Sequence, residues 1–361
     1  MNFASTPIYV IAEAGVNHCG KLEIARELIR AASDSGADAI KFQTFRSELM
    51  STAIAKKAKY QTVAAEGSVS HQQMLKKLEL PFEWHLELQQ YANNFGLDFL
   101  SSPFDQSGLE LLISMNIPSL KIASGEITNA PFLWNFGRSK KPIIMSTGMS
   151  TVDEITFALA NVFFGRLCEK MPSSSQQVWD FWDEVVFKNV PLTDICLLHC
   201  HSEYPTPLGS ANMLAMTSLK AHFNLPVGYS DHTEGYLMPV VAAALGAQII
   251  EKHFTLDQSL PGPDQSMSME PPAFKEMVAR IRDVELSLGD GNKIPTSEEK
   301  TNIAISRQRI IAAKNIKKNA ILRLEDLTTS RSANGIFADK FWDVIGSAAT
   351  SDFEAGEAIE R

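Results

Sequence analysis

The chain has 361 residues, more than one typical domain, which predicts one large domain accompanied by a small one. With 45% hydrophobic and 21% charged residues, its composition is that of an ordinary globular protein and excludes a membrane protein in bulk. The formal net charge of -9 argues against a nucleic-acid partner, so any site for an anion must be built locally from a few basic side chains.

The N-terminal stretch and the cysteines indicate a cytoplasmic protein. The stretch MNFASTPIYVIAEAGVNHCG has no basic segment before its short apolar run, and Glu13 interrupts that run, so we expect neither a signal peptide nor a membrane span. No CxxC pair occurs among the four cysteines, Cys19, Cys168, Cys196 and Cys200. In a chain of this length they do not indicate a disulfide framework, and we expect reduced thiols.

Eight short apolar runs alternate with segments of helical pattern. The runs are YVIAEAGVN (9–17), AIKFQT (39–44), DFLSSPF (98–104), SLKIASGE (119–126), PIIMSTGMS (142–150), ICLLHCHSEYP (195–205), PVGYSDHT (226–233) and QIIEKHFT (248–255). They are β-branched or continuously apolar rather than alternating, which is typical of parallel strands covered on both faces. Eight strand–helix units over about 250 residues predict a TIM (β/α)8 barrel, an α/β fold.

Polar side chains come last in nearly every run, after the apolar residues. They are Glu13, Lys41, Gln43, Ser101, Ser102, Lys121, Ser124, Glu126, Ser146, His199, His201, Asp231, His232, Lys252 and His253. A TIM barrel has its active site at the C-terminal ends of its strands. We therefore expect these groups to meet in one cavity at that end.

Two histidines end neighbouring strands of the predicted barrel, His232 on the seventh and His253 on the eighth. Their imidazoles can point into the same space and supply half of a metal site, although each alone is also explained as a hydrogen-bonded strand-end residue. Open positions filled by water and substrate oxygen would suit Mn²⁺ or Mg²⁺ acting as a Lewis acid. The second candidate pair is His199 and His201, which face either the barrel interior or the helix layer together.

Two lysines, Lys41 and Lys121, supply positive charge at strand ends in a chain that is acidic overall. Hydroxyl donors accompany them at Ser102, Ser124 and Ser146. Such a set is what a small anion with phosphate and carboxylate groups requires. A lone lysine at a strand end is more often a surface group, and that alternative stays open for each.

Three further groups complete the predicted mouth of the barrel: Glu13, Gln43 and Glu126. They can accept hydrogen bonds from a polyhydroxylated co-substrate or move protons, and a structural hydrogen bond is the alternative for each. After the eighth run, a rigid Pro-Gly-Pro turn leads directly to Asp264.

The C-terminal part predicts a second domain. The segment PPAFKEMVARIRDVELSLG, past residue 270, predicts a closing helix, so we place the barrel at 1–288, a polar linker with helix-cap character at 289–304, and a small domain at 305–361. Its few strand-like pieces predict a small mixed domain that docks on the barrel or on a second subunit.

Within the barrel, the segment 163–194 is longer than one helix and its loops require. We expect an extra short helix there, with Trp179 and Trp182 packed on the barrel wall. A surface for a partner is the alternative.

Successive segments carry a family resemblance that spans nearly the whole chain. They are IAEAGVNHCG, IKFQTF, SSPFD, LKIASGEITN, IIMSTGM, LLHC with EYPTP, GYSDHT, and EKHFTLD with PGPD. In this order they resemble the motifs of the sialic acid synthase family, which includes N-acetylneuraminate, legionaminic acid and pseudaminic acid synthases. The C-terminal SRSANGI and WDVIGSAATSDFEAGEAI resemble the small antifreeze-like (SAF) α+β domain that follows the barrel in those enzymes.

The resemblance implies a reaction. Phosphoenolpyruvate condenses with the open-chain aldehyde of an N-acetylated mannose-type sugar, either N-acetylmannosamine or 2,4-diacetamido-2,4,6-trideoxymannose. The products are a nine-carbon 3-deoxy-2-ulosonic acid and inorganic phosphate, with cleavage of the C–O bond of the enol phosphate. A divalent metal ion polarises the aldehyde, C3 of phosphoenolpyruvate attacks it, and water adds at C2.

The resemblance also implies roles for individual residues, each matched to a family motif. The catalytic set is Glu13, His232 and His253, and the two histidines are the metal ligands. The phosphoenolpyruvate site is Lys41, Ser102, Lys121, Ser124, Ser146 and Ser230. The sugar site is Gln43, Glu126, Tyr204, Asp264 and Arg331. Because Arg331 lies in the antifreeze-like domain, which in the family caps the barrel of the other subunit, the resemblance implies a domain-swapped homodimer.

Two positions depart from the family pattern and leave the acceptor sugar open. Ser202 stands where some members have an asparagine near the N-acetyl group, and SANG follows Arg331 in place of a Pro-Gly-Asn-Gly turn. Two other functions are considered. A Schiff-base aldolase on the same barrel would use Lys121 or Lys252 as nucleophile, and borohydride trapping would reveal it. A non-catalytic carbohydrate-binding protein would bind sugar without turnover.

Overall fold

The computed structural model describes residues 7–52, 54–56, 70–187 and 194–361. The chain divides into two compact units, Met1–Gly289 and Asp290–Arg361. Within the described ranges, no helix has both the length and the apolar character needed to cross a membrane.

The first unit is built on one eight-stranded parallel sheet. Its strands are β1 (Tyr9–Gly15), β2 (Ala39–Thr44), β3 (Asp98–Pro103), β4 (Leu120–Ile122), β5 (Ile143–Ser146), β6 (Ile195–Cys200), β7 (Val227–Asp231) and β8 (Ile249–His253). The hydrogen-bonded order is β3-β2-β1-β8-β7-β6-β5-β4, a nearly closed barrel, which confirms the predicted TIM-barrel fold. Each predicted run contains its strand. Most of the polar residues named from the runs lie within the strands, and Ser124, Glu126, His201 and His232 follow them.

The helices of this unit follow the strands in chain order. They are α1 (Leu22–Asp34), α2 (Ser47–Met50), α3 (His71–Lys76), α4 (Phe82–Asn94), α5 (Gln106–Ser114), α6 (Ala130–Arg138), α7 (Val152–Leu167), α8 (Ser175–Phe187), α9 (Leu214–Phe223), α10 (Leu237–Ala244) and α11 (Pro271–Leu288). Side chains start several of them. Asp105 accepts a hydrogen bond from the Gly108 amide at α5, and Thr151 forms a capping box with Glu154 at α7. The helix α11 confirms the predicted closing helix.

The strands bury both faces, and alternate residues face different layers. Along β8, Ile249 packs with other residues of the barrel interior, whereas Ile250 belongs to the larger core between strands and helices. By the same alternation Glu251 and His253 face the interior, where both line a cavity. Lys252 faces the helix layer, where its ammonium pairs with Asp231 at 2.6 Å. The register of this one strand therefore decides which polar groups reach the mouth of the barrel.

The insertion between β5 and β6 contains the predicted extra helix, α8, which packs on α7 through aromatic side chains. The ring centroids of Phe157 and Trp179 are 5.1 Å apart, and those of Phe163 and Trp182 are 6.1 Å apart. Trp182 is buried. The helix therefore covers part of the barrel wall, as expected; residues 188–193 of the insertion lie outside the described part of the chain.

The second unit contains α12 (Ser297–Ser306), β9 (Gln308–Ala312), β10 (Leu327–Arg331) and α13 (Phe341–Val344). The two strands pair antiparallel, and a separate hydrophobic core that includes Ile310, Leu322 and Phe353 stabilises the unit, a small α+β fold. The stretch expected to be a polar linker includes the helix α12. Thr296 caps that helix in a capping box with Glu299, in agreement with the helix-cap character of the sequence.

Candidate active site

A cavity of about 370 Å³ lies at the C-terminal ends of the barrel strands. It brings together most of the site residues named from the sequence: Glu13, Lys41, Gln43, Ser102, Lys121, Ser124, Ser146, Tyr204, Ser230, His232, His253 and Asp264. The two remaining predicted residues are placed elsewhere. Glu126 lies on the short turn Ser124–Glu126 after β4, where its carboxylate accepts a hydrogen bond from Asn129 at 2.7 Å. Arg331 ends β10 in the second unit and is exposed.

The floor of the cavity is a buried cluster of two lysines and two glutamates. Lys41 forms an ion pair with Glu13 and lies 3.6 Å from Glu251. Lys121 lies 3.7 Å from the other oxygen of Glu251, which also accepts a hydrogen bond from Ser230 at 2.9 Å. All of these residues are at most 5% exposed. Because each lysine has a carboxylate within reach, the cluster is balanced in charge without a bound anion.

Burial and neighbouring charges shift the pKa values of this cluster in different directions. Burial raises the pKa of Glu13 despite the opposing charge of Lys41. For Glu251, burial acts in the same direction, but Lys121 and Lys41 outweigh it and lower the pKa. Burial lowers the pKa of Lys121, with Glu251 opposing, whereas Glu13 and Glu251 together outweigh burial and raise the pKa of Lys41. Of the two carboxylates, Glu13 is therefore the better proton carrier near neutral pH.

Hydroxyl groups complete the basic floor. Ser146 accepts a hydrogen bond from the Lys121 ammonium at 2.7 Å, and Ser102 accepts one from Lys41 at 3.2 Å. Ser124 accepts a hydrogen bond from the amide of Gly148 at 3.0 Å. Lysine charges and serine hydroxyls thus line one end of the cavity, the arrangement expected for an anion with several oxygens.

The two histidines lie side by side, with ring centroids 5.4 Å apart. His232 donates its Nδ1 proton to the carbonyl oxygen of His201 at 2.7 Å, so its Nε2 carries the free lone pair. Burial places the pKa of His253 well below its usual value, which keeps that imidazole neutral, and among the described residues its buried Nδ1 has no hydrogen-bond partner. A neutral ring with a free nitrogen is the form that ligates a metal ion.

The donor set fits a metal ion with open coordination positions. The described residues contain no group of three or more His, Cys, Asp or Glu side chains arranged to hold a metal ion. The two imidazoles would share the ion with water and substrate oxygen. Such an open ligand set suits Mn²⁺ or Mg²⁺ better than a structural zinc ion, which takes a closed set of protein ligands. Burial would lower the pKa of His232, but Cys200 and the His201 carbonyl outweigh it and raise the pKa. A metal ion at His232 would compete with a proton.

The second candidate pair of metal ligands was His199 and His201. In the structure His199 does not face the cavity that His232 and His253 line. His199 hydrogen-bonds through Nε2 to the carbonyl oxygen of Ala211 at 2.8 Å and stacks near Tyr229. Its neighbours on β6, Leu198 and Cys200, face the interior. The alternation along the strand therefore turns His199 toward the helix layer, which removes the pair as a metal-site candidate.

Three polar groups of the cavity converge on Gly15, the last residue of β1. A Cβ atom added at Gly15 would lie 3.2 Å from a Glu13 oxygen, 3.4 Å from the Gln43 amide nitrogen and 3.6 Å from an Asp264 oxygen. The backbone there has φ of +50°, so glycine is favoured on both counts. Burial raises the pKa of Asp264 to about 6. These groups can accept and donate hydrogen bonds to a polyhydroxylated ligand above the basic floor.

The loop that carries Asp264 is held in place by the β1–α1 loop. Asn17 donates from Nδ2 to the carbonyl of Phe254 at 2.9 Å and to the hydroxyl of Ser268 at 2.8 Å. That hydroxyl donates in turn to the Asp264 carbonyl at 2.5 Å, and Gln265 donates to the Asn17 carbonyl at 3.0 Å. These buried bonds fix the direction of Asp264 from the side opposite the cavity.

An aromatic ring closes the cavity beside the histidines. The ring centroid of Tyr204 lies 4.1 Å from that of His232 and 6.1 Å from that of His253. Lys252, the alternative Schiff-base nucleophile, does not line this cavity, because its ammonium is buried against Asp231 and the Thr233 carbonyl. Of the two candidate Schiff-base nucleophiles, Lys121 and Lys252, Lys121 is the one that lines this cavity.

Sequence reasoning missed several residues in and around this site. Glu251 lies two residues before His253 on β8, so strand alternation alone would have placed it in the cavity. Cys200 ends β6 and lies 3.7 Å from both Ser124 Oγ and His232 Nδ1. A Cβ atom at Gly148 would come within 2.4 Å of Ser202 Oγ and 2.8 Å of Ser124 Oγ. Nothing in the local sequence signals that close approach.

Comparison with known proteins gives consistent matches across the chain. The family model described as the NeuB family matches residues 28–293, and the model of the SAF domain matches residues 308–360. The chain is 43% identical to the N,N'-diacetyllegionaminic acid synthase of Campylobacter jejuni over 98% of either chain. It is 40% identical to the protein of the same name from Legionella pneumophila, over 99% of this chain and 94% of that one.

Among solved structures, the chain resembles the N-acetylneuraminic acid (sialic acid) synthetase of Leptospira borgpetersenii serovar Hardjo-bovis, which was crystallised in complex with citrate. The TM-score is 0.67 at 31% sequence identity, and the match covers 82% of this chain and 90% of that one.

Proposed function

Because this chain belongs to the NeuB family, we propose that it is a nonulosonic acid synthase that condenses phosphoenolpyruvate with an N-acetylated mannose-type sugar and releases phosphate. The observation that carries the proposal is the arrangement of the cavity. A buried pair of lysines with serine hydroxyls lies in the same cavity as two adjacent imidazoles and the Gln43–Asp264 pair. One end thus suits a phosphorylated carboxylate, and the other suits a sugar.

Phosphoenolpyruvate is proposed to bind on the basic floor. Lys41 and Lys121 would neutralise its phosphate and carboxylate, with hydroxyls of Ser102, Ser124 and Ser146 as donors. Ser230 would join them on release of its hydrogen bond to Glu251. Their burial strengthens each interaction because little water screens it. The same groups would stabilise charge that develops at C2 and on the leaving phosphate during the reaction.

The proposed reaction forms one C–C bond and one C–O bond from water to C2, and it breaks the C–O bond between C2 and the phosphate. C3 of phosphoenolpyruvate attacks the aldehyde carbon of the acceptor, whose oxygen takes up a proton, and the resulting oxocarbenium at C2 is captured by water. Glu13 takes a proton from that water, a role supported by its raised pKa and its place beside Lys41. The hydrated intermediate then expels phosphate with the bridging oxygen, leaving a 3-deoxy-2-ulosonic acid.

A divalent ion, Mn²⁺ or Mg²⁺, held by His232 and His253 would act as a Lewis acid on the acceptor aldehyde. Tyr204 packs on the His232 ring and limits its rotation, so the imidazole keeps its orientation toward the cavity. On the acceptor, Gln43 and Asp264 would bind hydroxyl groups. Glu126 stays a proposed acceptor contact by family resemblance.

The second unit is proposed to complete the site from another copy of the chain. Arg331 at the end of β10 matches the family's sugar-binding arginine, and the match of the SAF model to residues 308–360 supports that correspondence. We propose a homodimer in which each cavity receives Arg331 from the other subunit. The compartment proposed is the cytoplasm.

The experiment that tests the proposal measures phosphate release from phosphoenolpyruvate with Mn²⁺, in parallel with N-acetylmannosamine and with 2,4-diacetamido-2,4,6-trideoxymannose. The proposal predicts release only when an acceptor is present, together with a product whose mass equals acceptor plus pyruvate. Sugar binding without release, in folded protein that also binds phosphoenolpyruvate, would contradict it.

A further inference from the structure

A buried ion pair lies directly behind the two histidines of the cavity. Asp231 comes just before His232, and Lys252 comes just before His253. The ammonium of Lys252 lies 2.6 Å from a carboxylate oxygen of Asp231, and both side chains are at most 3% exposed. Because alternate residues face opposite sides, this pair faces the helix layer while the imidazoles line the cavity. The reaction proposed above gives neither charged group a role.

The backbone pairing of β7 with β8 ends at this ion pair. Asp231 and Lys252 form the last pair of that register, so both histidines lie one residue beyond it. The segment of His232 is held from the β6 side, where its carbonyl oxygen accepts a hydrogen bond from the Thr206 amide at 2.8 Å. The segment of His253 is held from the other side, by pairing with β1. The two imidazoles therefore stand on backbone segments that different neighbours hold.

Side chains continue the connection where the register ends. The Lys252 ammonium also donates a hydrogen bond to the carbonyl oxygen of Thr233. The Thr233 amide donates in turn to the other carboxylate oxygen of Asp231, at 2.9 Å. These three residues are buried, so little water competes for the bonds. The residues on both sides of His232 are thus tied to the residue that precedes His253.

The imidazole of His253 depends on this support more than that of His232 does. The His232 ring is oriented by its own hydrogen bond to the His201 carbonyl. For His253, the buried Nδ1 has no partner among the described residues, so the backbone of β8 sets where that ring lies. The ring centroids of the two histidines are 5.4 Å apart. A metal ion bound by both rings requires that their separation be kept within a few tenths of an ångström.

We propose that Asp231 and Lys252 are positioning residues that fix the separation of His232 and His253 for a divalent ion. This inference rests on the proposed function, in which the two imidazoles hold that ion. Neither charged residue lines the cavity, so the pair acts through the histidines and not on a substrate. Stability alone does not explain it, because a neutral pair of similar shape often replaces a buried ion pair at little cost. Metal affinity, in contrast, falls about 10- to 100-fold when groups that orient the ligands are lost.

The test removes both charges at once. In the double variant Asp231→Asn/Lys252→Met no charge is left unpaired and the side chains keep nearly their size, so the fold should be kept. Titration calorimetry of chelator-treated protein with Mn²⁺ should give a Kd at least about 10-fold weaker than that of the wild type. The Mn²⁺ concentration for half-maximal phosphate release should rise by the same factor. KM for phosphoenolpyruvate, measured at saturating Mn²⁺, should stay unchanged.

The control removes an ion pair at the opposite end of the barrel. Asp38 directly precedes β2 and pairs with Arg282 of α11 at 2.9 Å. The double variant Asp38→Asn/Arg282→Met should bind Mn²⁺ as the wild type does, whatever its stability. Thermal unfolding of both double variants separates a loss of stability from a loss of metal affinity.

The outcomes distinguish this inference from the proposed function. Wild-type Mn²⁺ affinity in the folded Asp231→Asn/Lys252→Met protein would overturn the positioning role and leave the synthase function intact. A fall in kcat with an unchanged Mn²⁺ requirement would also overturn it. Absence of Mn²⁺ binding to the wild type would refute the two-histidine metal site and this inference with it. Lys252→Gln, which keeps an amide donor in place of the ammonium, gives the same measurement and the same criteria if the double variant does not fold.

Discussion

The ammonium of Lys121 lies 3.7 Å from the carboxylate of Glu251 on the floor of the cavity, and the same carboxylate lies 3.6 Å from Lys41. One buried negative charge is thus shared by two buried positive charges. It holds both lysines in place before a substrate arrives, and it competes with any anion that binds there. Because Lys41 also pairs with Glu13, the resting site is balanced in charge, and substrate binding has to exchange one set of ion pairs for another.

Glu251→Gln should remove the counter-charge that Lys41 and Lys121 share. We expect a loss of about 3 kcal/mol in the free energy of unfolding, because two buried lysines lose one partner. Added phosphoenolpyruvate should then stabilise the variant more than the wild type at the same concentration, since no carboxylate competes with it. Thermal unfolding with and without phosphoenolpyruvate measures both effects. The exposed Glu203→Gln is the control, and a variant that behaves like this control would contradict the counter-charge role.

Asn17→Ala should weaken the sugar site without touching the phosphoenolpyruvate floor. The change removes the two hydrogen bonds that Asn17 donates under the Asp264 loop. We expect KM for the acceptor to rise about 10-fold, with KM for phosphoenolpyruvate nearly unchanged, and a stability loss of about 2 kcal/mol. Asn161→Ala, which removes a buried asparagine of α7 bonded to the Phe157 carbonyl, is the matched control. Equal effects of the two variants on acceptor KM would show that stability alone matters.

His232→Ala should abolish metal-dependent turnover without unfolding the protein. The change removes the imidazole whose Nε2 carries a free lone pair. Titration calorimetry with Mn²⁺, after treatment with a chelator, should show binding to the wild type and to His199→Gln but not to His232→Ala. His199 serves as the control because it bonds to the Ala211 carbonyl in the helix layer. Full activity of His232→Ala in metal-stripped buffer would show that the metal assignment is wrong.

Two inactive variants should restore activity when they are combined in one dimer. Lys121→Met removes a charge from the barrel, and Arg331→Ala removes the arginine proposed to act in the other subunit. Random mixing of the subunits should give about a quarter of wild-type activity, because half of the dimers are mixed and each mixed dimer has one complete site. Mixtures prepared by co-expression or by unfolding and refolding together should both show it. A mixture as inactive as either parent would place Arg331 and Lys121 in the same subunit's site, and an Arg331→Ala parent with full activity would leave Arg331 without a role.

Stability should fall in mild acid through two buried histidines, His18 and His85. Burial lowers the pKa of His18 and of His85 to about 4. In the unfolded chain both take up protons near pH 6.5, so between these values the unfolded state binds more protons and the free energy of unfolding decreases as the pH falls. The loss begins below about pH 6.5 and reaches about 3 kcal/mol for each histidine near pH 4.

Urea unfolding at several pH values, followed by tryptophan fluorescence, measures this slope. His85→Gln should reduce the pH dependence of the free energy of unfolding by the contribution of one histidine. His222→Gln, a change at an exposed position, should leave this dependence unchanged. A slope that is identical in the His85 variant and the wild type would contradict the assignment.

Much of the fold and of the candidate site could be predicted from the sequence because continuous apolar runs indicate parallel strands. Lys41 and His253 stand at the ends of such runs, and the barrel fold brings all these ends together. The direction of a side chain is harder to predict. His199 was ambiguous because a one-residue change of strand register exchanges the interior and the helix layer. Glu126 leaves the cavity lining because a short helical turn follows β4 and redirects it to Asn129.

Contacts between distant parts of the chain could not be predicted. Asn17 and Ser268 are 251 positions apart, and neither residue carries a local signal of their hydrogen bond. Met50 and Met74 look like ordinary core residues in the sequence. Only the folded chain shows that both line the cavity.

The most direct measurement of the central claim uses phosphoenolpyruvate labelled with ¹⁸O at the oxygen that bridges C2 and phosphorus. The protein is incubated with it, Mn²⁺ and the diacetamido acceptor, and both products are analysed by mass spectrometry. Condensation with cleavage of the C–O bond predicts that the label leaves in phosphate, that the nine-carbon acid is unlabelled, and that neither forms without acceptor. Label retained in the acid, or phosphate released at the same rate without acceptor, would contradict condensation with cleavage of the C–O bond.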